Sequence, residues 1–436
     1  MNKTTVKVIF PAPEPGRPTW PFVDYDIAGR SKQVIAMLQK SLPQIDFSAD
    51  IYTDAEQASK ALKSEQGKFD GYLVYLTSMW TGVQEYVAEN FHPVIIADEL
   101  YSGSGGLLKV NSLIQEKNLP VVTIASSDFQ DIIDAVRLFD VMNKMRHSTI
   151  AVVADGDTWG ARKEIIKKTN EIFGTQVVRI DSEKIKTLYE QVDSSEANSW
   201  KDKWIKDAQK VVEPDEDEIL KSARMYLALR AAMQETHADA ITVDCLGLYY
   251  ANRLVAYPCL GFFQLNNDGQ IGVCEADIDS TLTQMLMQYL TGRPGYVSDP
   301  VIDTATDQII YAHCVATNRV FGPDGMANPY IIRSHAEDGK GASVQSLLPV
   351  GRIVTTAKVC TVSKSFIVHS ALTVANIDDD KACRTKLAAE VDAERVLENY
   401  NYHKGHWHRV TVYGDCRRDL INLARLYGLD IIEEDR

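Results

Sequence analysis

The stretch Thr149-Ile-Ala-Val-Val-Ala-Asp-Gly-Asp-Thr-Trp-Gly-Ala-Arg-Lys-Glu-Ile-Ile-Lys-Lys-Thr-Asn-Glu-Ile-Phe-Gly-Thr-Gln-Val-Val-Arg-Ile180 decides the fold class. It opens on an apolar run at 149–153, passes through a helical pattern over 159–173 that Gly174 ends, and returns to an apolar run at 177–180. A strand, a helix and a second strand in that order form the repeating unit of a parallel α/β sheet, and a glycine just past the last helical residue suits a helix C-terminus. The same alternation has already run once upstream. Residues 6–10, 72–76, 94–96 and 121–124 are apolar and short enough to be buried strands, with helical patterns at 32–39, 55–63 and 129–142 between them. The pattern predicts two Rossmann-like α/β domains, over 1–145 and 146–292, with a long helix at 218–235 and a strand at 240–244 continuing the second.

Beyond Gly292 the texture changes. Residues 308–316, 330–333, 352–361 and 365–373 are rich in β-branched side chains and are divided by Gly, Pro, Asn and Asp, as in an antiparallel sheet or barrel. A last strand at 408–413 precedes a helix with Leu420, Leu423, Ala424 and Tyr427 on one face. The fold class expected is therefore two Rossmann-like α/β domains followed by a C-terminal antiparallel β-barrel-like domain over 293–436.

Composition removes several classes of function. With 60 Asp plus Glu against 46 Lys plus Arg, the formal charge is −14, which disfavours a phosphate backbone or an anionic membrane as partner. No run approaches the roughly 18 apolar residues that span a bilayer, and the first ten residues resemble a strand more than a leader, so a cytoplasmic protein is expected. The seven cysteines are scattered with no C-x-x-C pair, which suits reduced thiols. The charged tract 181–217 reads as solvated helix and connection. No phosphate loop occurs, and Gly103-Ser-Gly-Gly-Leu-Leu lacks the third glycine of a dinucleotide fingerprint, so no nucleotide cofactor is expected.

Two features are candidates for substrate contact or chemistry. The Pro-rich loop Pro11-Ala-Pro-Glu-Pro-Gly-Arg-Pro-Thr-Trp-Pro21 follows the first strand, at the strand end where open α/β sheets bind ligands. It is either a substrate lid with Trp20 as a contact or a stiff surface loop. The second feature is the histidine distribution, with six of nine (His313, His335, His369, His403, His406, His408) after residue 300. If His406 and His408 both lie on the last strand, they share one face. A lone His313 on an apolar strand is more often a hydrogen-bonded core residue. Glu275 in Gly-Val-Cys-Glu-Ala-Asp and Asp299 in Gly-Tyr-Val-Ser-Asp-Pro could each be a helix-end or turn acid, with Asp277 an N-cap. Together, however, two carboxylates and one or two imidazoles make a mixed oxygen and nitrogen set suited to Mn²⁺ or another divalent cation.

A family resemblance bears on that choice. Gly405-His-Trp-His-Arg-Val-Thr-Val-Tyr-Gly-Asp-Cys-Arg-Arg-Asp-Leu-Ile-Asn-Leu-Ala-Arg-Leu-Tyr-Gly-Leu-Asp430 resembles the C-terminal segment of L-arabinose isomerases, in which a strand supplies a metal-ligand histidine; His408 falls on it. Glu275 and Asp299 look like the Glu and Asp metal ligands of L-fucose isomerases, and Tyr-Ala-His313-Cys resembles the metal-ligand Gly-Ala-His-Met of the arabinose enzymes. The segment Gly339-Lys-Gly-Ala-Ser-Val-Gln-Ser-Leu-Leu-Pro-Val-Gly-Arg352 is similar to a Gly-rich barrel segment of the arabinose enzymes. The resemblance is good from about residue 274 to 435 and architectural before that. Asp299 stands where arabinose isomerases carry Glu, while His313 is arabinose-like, so the chain matches neither type throughout.

The resemblance implies a metal-dependent aldose–ketose isomerase acting on a free sugar of the fucose or arabinose type through a cis-enediol. Glu275, Asp299, His313 and His408 would hold Mn²⁺, Glu275 and Asp299 would also be the acid/base pair, and His406 is a candidate substrate contact. It further implies a homo-oligomer, a trimer or hexamer. Two other readings of the residues stay open: a metal-dependent sugar dehydratase, epimerase or lyase that stabilises an enediolate, and a non-catalytic sugar-binding protein.

Overall fold

A computed structural model describes residues 3–436, apart from the side chain of Asp157; residues 1 and 2 of the stretch expected as a first strand lie outside it. The chain divides into two compact units, one running to Lys144 and taking in Asp419–Asp430, the other comprising Met145–Arg418 and Ile431–Arg436.

In the first unit, β1 (Thr4–Pro11), β2 (Ile45–Tyr52), β3 (Gly71–Leu76), β4 (Val94–Asp98) and β5 (Val121–Ile124) form a parallel sheet in the order β2-β1-β3-β4-β5. The apolar runs predicted four of these strands. The fifth, β2, is an edge strand with most residues facing solvent, so it carries no apolar run to find. The glycines at 103–106 start the helix Ser104–Lys117. The Pro-rich loop leaves β1, and Trp20 is 54% exposed, its indole N–H donating to the Tyr101 carbonyl.

The second unit opens with β6 (Thr149–Val153) and β7 (Gln176–Ile180), joined by the helices Gly156–Ala161 and Lys163–Phe173, the latter capped by Gly174 at φ +74°. The two-residue β8 (Lys210–Val211), then β9 (Ala240–Val243) and β10 (Ile271–Val273), follow, and β10-β9-β6-β7 is the second parallel sheet. The remaining strands are β11 (Tyr296–Asp303), β12 (Gln308–His313), β13 (Tyr330–Arg333), β14 (Ser343–Ser346), β15 (Ile353–Cys360), β16 (Ser365–Asn376), β17 (Thr385–Glu390), β18 (Arg409–Tyr413) and β19 (Asp430–Glu433).

Six of them close an antiparallel barrel in the ring order β15-β18-β11-β12-β17-β16, sealed by the β15–β16 pairing. Closure leaves no open strand edge within the ring, and Tyr296, Ile309, Tyr311, Val354, Leu387 and Tyr413 belong to its buried core. The expected two α/β parts and antiparallel β-barrel are thus present. One expectation is corrected: residues 330–333 and the Gly-rich segment 339–352 are not barrel strands. There β13 pairs with β14 and, in parallel, with β8, in a separate three-stranded sheet. The backbone explains why, since Gln209 and Val212 N–H groups donate to the Tyr330 and Ile332 carbonyls and give that segment an edge outside the ring. Among the described residues, no helix is long and apolar enough to cross a membrane.

Candidate active site

Strand register assembles the site. β11 lies between β12 and β18; Asp299 pairs with Ala312, next to His313, and Ser298 pairs with Arg409, next to His408. Asp299 is therefore flanked by the two imidazoles at one end of the barrel. The fourth residue arrives from the parallel sheet, because Glu275 follows β10 and precedes the helix Ile278–Thr291. Glu275 and Ala276 both have left-handed backbone, φ +64° and +49°. Two consecutive non-glycine residues there cost on the order of 1–3 kcal/mol each, and such strain persists where the surroundings fix it. Arg162 fixes it here, donating from Nε to the Ala276 carbonyl at 2.9 Å and from Nη2 to that of Glu275 at 3.3 Å, while the Ala276 N–H donates to the Val243 carbonyl at 2.8 Å.

His408 is the hub. Its Nε2 lies 3.2 Å from Asp299 Oδ1 and 3.4 Å from Glu275 Oε2, and its Nδ1 is 2.9 Å from Asp277 Oδ2. Asp277 is the N-cap expected from sequence, accepting from Ser280 N through Oδ1, but its Oδ2 also takes Lys358 Nζ at 2.6 Å. This buried carboxylate orients the imidazole so that Nε2 faces the two acids, the arrangement that supports histidine ligands of metal ions.

The charges follow from these contacts. Burial opposes charge on every member. For Asp277 it is overcome by Lys358 and His408, which hold the carboxyl well below the usual range. Burial pulls His408 down, but the Asp277 and Asp299 carboxylates outweigh it and raise the imidazole to about 10 in the cation-free protein. The two acids diverge: burial pushes Glu275 up, with His408 only partly offsetting it, whereas His408 and His313 overcome burial and lower Asp299. His313 is pulled down to about 4 by burial.

The residues present fit a divalent cation. His313 Nε2 is buried without a hydrogen-bond partner, Asp299 Oδ1 is buried with only His408 Nε2 facing it, at 3.2 Å, and donor atoms of Asp299, His313 and His408 lie within 4.8 Å of one another. Buried polar atoms left unpaired in this way call for a ligand. His313 differs from the others in one respect. The Cys314 backbone N–H donates to its Nδ1 at 3.0 Å, so the neutral ring carries its proton on Nε2 and presents an N–H to the cavity. It can ligate a cation only by giving up that contact.

The cavity in front of these groups holds about 390 Å³, within the range of small-ligand sites. Five thiols line it, those of Cys245, Cys259, Cys274, Cys314 and Cys383, together with Glu275, Asp299, His313, His335, Glu337 and Trp407. All seven cysteines are free, with Cys245 Sγ 3.2 Å from Cys274 Sγ.

Glu275, Asp299, His313 and His408, singled out from sequence, are thus brought together. His406 is not with them. It sits beyond the short helix Tyr402–Gly405 at φ +52°, exposed, with its ring edge-on to Tyr402; the strand begins only at Arg409, so the shared strand face does not form. Trp20 belongs to the first unit and contacts Tyr101 there. Sequence reasoning missed the second task of Asp277 and the whole part of Lys358, whose signal is a lone lysine inside the apolar run Val354-Thr-Thr-Ala-Lys-Val-Cys.

No family model matches the chain. Two curated proteins named sulfoquinovose isomerase, from Priestia aryabhattai and Priestia megaterium, are each 25% identical over 225 residues, or 50% of this chain and 48% of theirs. The match spans about half the length of these relatives. Among solved structures, a branched chain amino acid ABC transporter from Thermus thermophilus with bound valine aligns at 12% identity, covering 70% of this chain and 68% of that one, with a TM-score of 0.17, too low to bear on the fold. By sequence, the chain is a distant relative of two sugar isomerases.

Proposed function

We propose that the protein is a divalent-cation-dependent aldose–ketose isomerase of the fucose and arabinose type, acting on an uncharged sugar through a cis-enediol, with Mn²⁺ as the cation. The observation that carries this reading is the approach of both acids to the Asp277-oriented His408, whose Nε2 lies 3.2 Å from Asp299 Oδ1 and 3.4 Å from Glu275 Oε2. The relatives named sulfoquinovose isomerase support the sugar-isomerase part of this reading.

Glu275, Asp299 and His408 would hold the cation, with His313 beside them. When bound, the cation supplies charge stabilisation for the sugar oxygens that exchange carbonyl and hydroxyl character. The chain's own groups do the rest. Glu275, whose pKa is raised, is suited to take a proton from one carbon and return it to the next, while Asp299, whose pKa is lowered, stays ionised; neighbouring carboxylates pushed apart in this way divide acid and base tasks. The His313 N–H is free to donate to a sugar oxygen.

The cavity favours an uncharged sugar. Glu337 adds a carboxylate to its lining beyond Glu275 and Asp299, whose charges the cation would offset, and among its described lining residues none is Lys or Arg. An aldose is expected to show a kcat/KM at least about 100-fold above that of its phosphorylated form, since an unpaired anion in such a site is strongly disfavoured. Equal efficiencies would remove the charge argument. The resemblance also leads us to expect a trimer or hexamer in a cytoplasmic setting.

Cation binding tests the site independently of turnover. Asp277→Asn should weaken Mn²⁺ binding by about 10- to 100-fold, because it removes the charge that orients and polarises His408. His408→Ala should cost more than His313→Ala, since His313 presents a proton. Calorimetric titration with Mn²⁺ reads both, and a His313→Ala variant that loses the cation as completely as His408→Ala would reverse the order.

A further inference from the structure

His335 was noted in the sequence only as one of a cluster, yet the structure gives it an unusual position. It is 9% exposed, lines the same cavity as Glu275, Asp299 and His313, and its Nδ1 has no hydrogen-bond partner, the Asp338 carboxylate standing 4.0 Å away. Its ring is held flat. Tyr257 stacks on it at 4.4 Å and 10°, and Tyr249 stacks on Tyr257 at 3.8 Å and 26°.

The backbone around it is equally fixed. The His335 N–H donates to the Lys340 carbonyl at 2.8 Å and the Gly339 N–H to the His335 carbonyl at 3.0 Å, so residues 335–340 form a closed loop. Arg384 anchors its start through the Ser334 carbonyl and hydroxyl at 2.9 and 3.1 Å. Gly341, at φ +61°, leaves room for the Tyr257 ring, since a Cβ there would sit 2.6 Å from Tyr257 Cδ2. Glu337 on the same loop is turned to Tyr250, whose hydroxyl donates to it at 2.7 Å, and lines the cavity as well.

We infer that His335 and Glu337 form a subsite for the hydroxyl groups of the sugar tail, the carbons remote from those that react; this rests on the isomerase reading of the neighbouring acids. A neutral imidazole offers one N–H and one lone pair, and a carboxylate offers acceptors only, so the pair can satisfy hydroxyls that both donate and accept. Burial lowers the His335 pKa and keeps the ring in that neutral form at pH 7. The ring stack explains how a histidine with an unsatisfied nitrogen is held rigidly at a cavity wall, and Nδ1, with Asp338 Oδ1 too far at 4.0 Å to hydrogen-bond it, is available to a ligand hydroxyl. Glu337 adds a reason why the tail should be uncharged.

The test uses the Mn²⁺-loaded full chain and alditols, sugar alcohols that carry the tail hydroxyls but cannot isomerise. His335→Phe keeps a flat ring on Tyr257 and removes both nitrogens, which separates recognition from support of the loop. It should weaken binding of five- and six-carbon alditols about tenfold and raise the aldose KM similarly, with kcat within about threefold and Mn²⁺ affinity unchanged. His335→Asn should recover part of the loss, and glycerol, which has no tail, should bind the variant and the wild type equally. Alditol affinity and KM within twofold of wild type in His335→Phe would overturn the proposal, as would an equal loss for glycerol. If the wild type binds alditols in a His335-dependent way but converts no aldose, the isomerase reading fails and the subsite stands.

Discussion

Glu275→Gln is expected to lower kcat by about 10³-fold or more while leaving the barrel folded, because a positioned acid/base group contributes on the order of 10² to 10⁴ and Glu275 is also asked to face the cation. The amide keeps the shape of the side chain and its place in a strained turn whose own backbone atoms are held by the Arg162 guanidinium and the Val243 carbonyl. The fold should therefore not notice the change. Asp299→Asn is expected to act similarly, with a larger share of its effect in cation affinity, since the Asp299 carboxylate is held ionised between His408 and His313. Turnover with added Mn²⁺, run beside circular dichroism of each variant, measures both points. Either variant turning over at the wild-type rate would remove that residue from the chemistry.

The largest expected effect on stability lies just behind the site. Arg409, the residue after His408, is fully buried against Glu434, both at 0% side-chain exposure, with Nη2 to Oε1 at 2.7 Å. Glu434 Oε2 also meets His369 Nδ1 at 3.0 Å, and His369 Nε2 meets the Tyr311 hydroxyl at 2.8 Å. Tyr400 covers the guanidinium at 4.1 Å. Glu434→Gln leaves an uncompensated cation inside the protein and is expected to destabilise it by about 3–5 kcal/mol, read from urea unfolding near neutral pH. Arg409 and His369 overcome burial to lower the Glu434 pKa. Its stabilising contribution is therefore present above the carboxylate's ordinary value near about 4.3 and is lost as pH falls through that value and the lower folded one. Glu434→Gln should flatten this acid-side part of the stability profile; a variant as stable as the wild type at pH 7 would show that the pair contributes no net stability.

Local pattern carried much of the fold. Gly174 and Asp277 mark helix ends in the sequence and cap helices in the structure, and the apolar runs of β3, β5 and β6 announce buried parallel strands. β2 was invisible because an edge strand facing solvent has no apolar run, and the docking of β13 onto β8 outside the barrel was invisible because that pairing joins residues more than a hundred positions apart. The candidate site shows the same division. Residue type and motif pointed to Glu275, Asp299, His313 and His408, but only strand register shows that Asp299 lies between the two histidines. What sequence could not supply was the supporting layer: Lys358 on Asp277, the ring stack under His335, and the five thiols that converge on one cavity from distant parts of the chain. Those groups share no local spacing. His406 is the converse case, two residues from His408 in sequence and turned to solvent by a left-handed backbone just before the strand begins.

The central claim is tested most directly by incubating the purified protein with Mn²⁺ and a panel of free aldoses that includes L-fucose, D-arabinose and L-arabinose, in deuterated water, and identifying the products by NMR and mass. The account predicts the corresponding ketose with no loss of water or carbon, formed only with a divalent cation and not by Glu275→Gln. A dehydrated or cleaved product, an epimeric aldose without ketose, or no conversion of any aldose in the cation-loaded protein would contradict it.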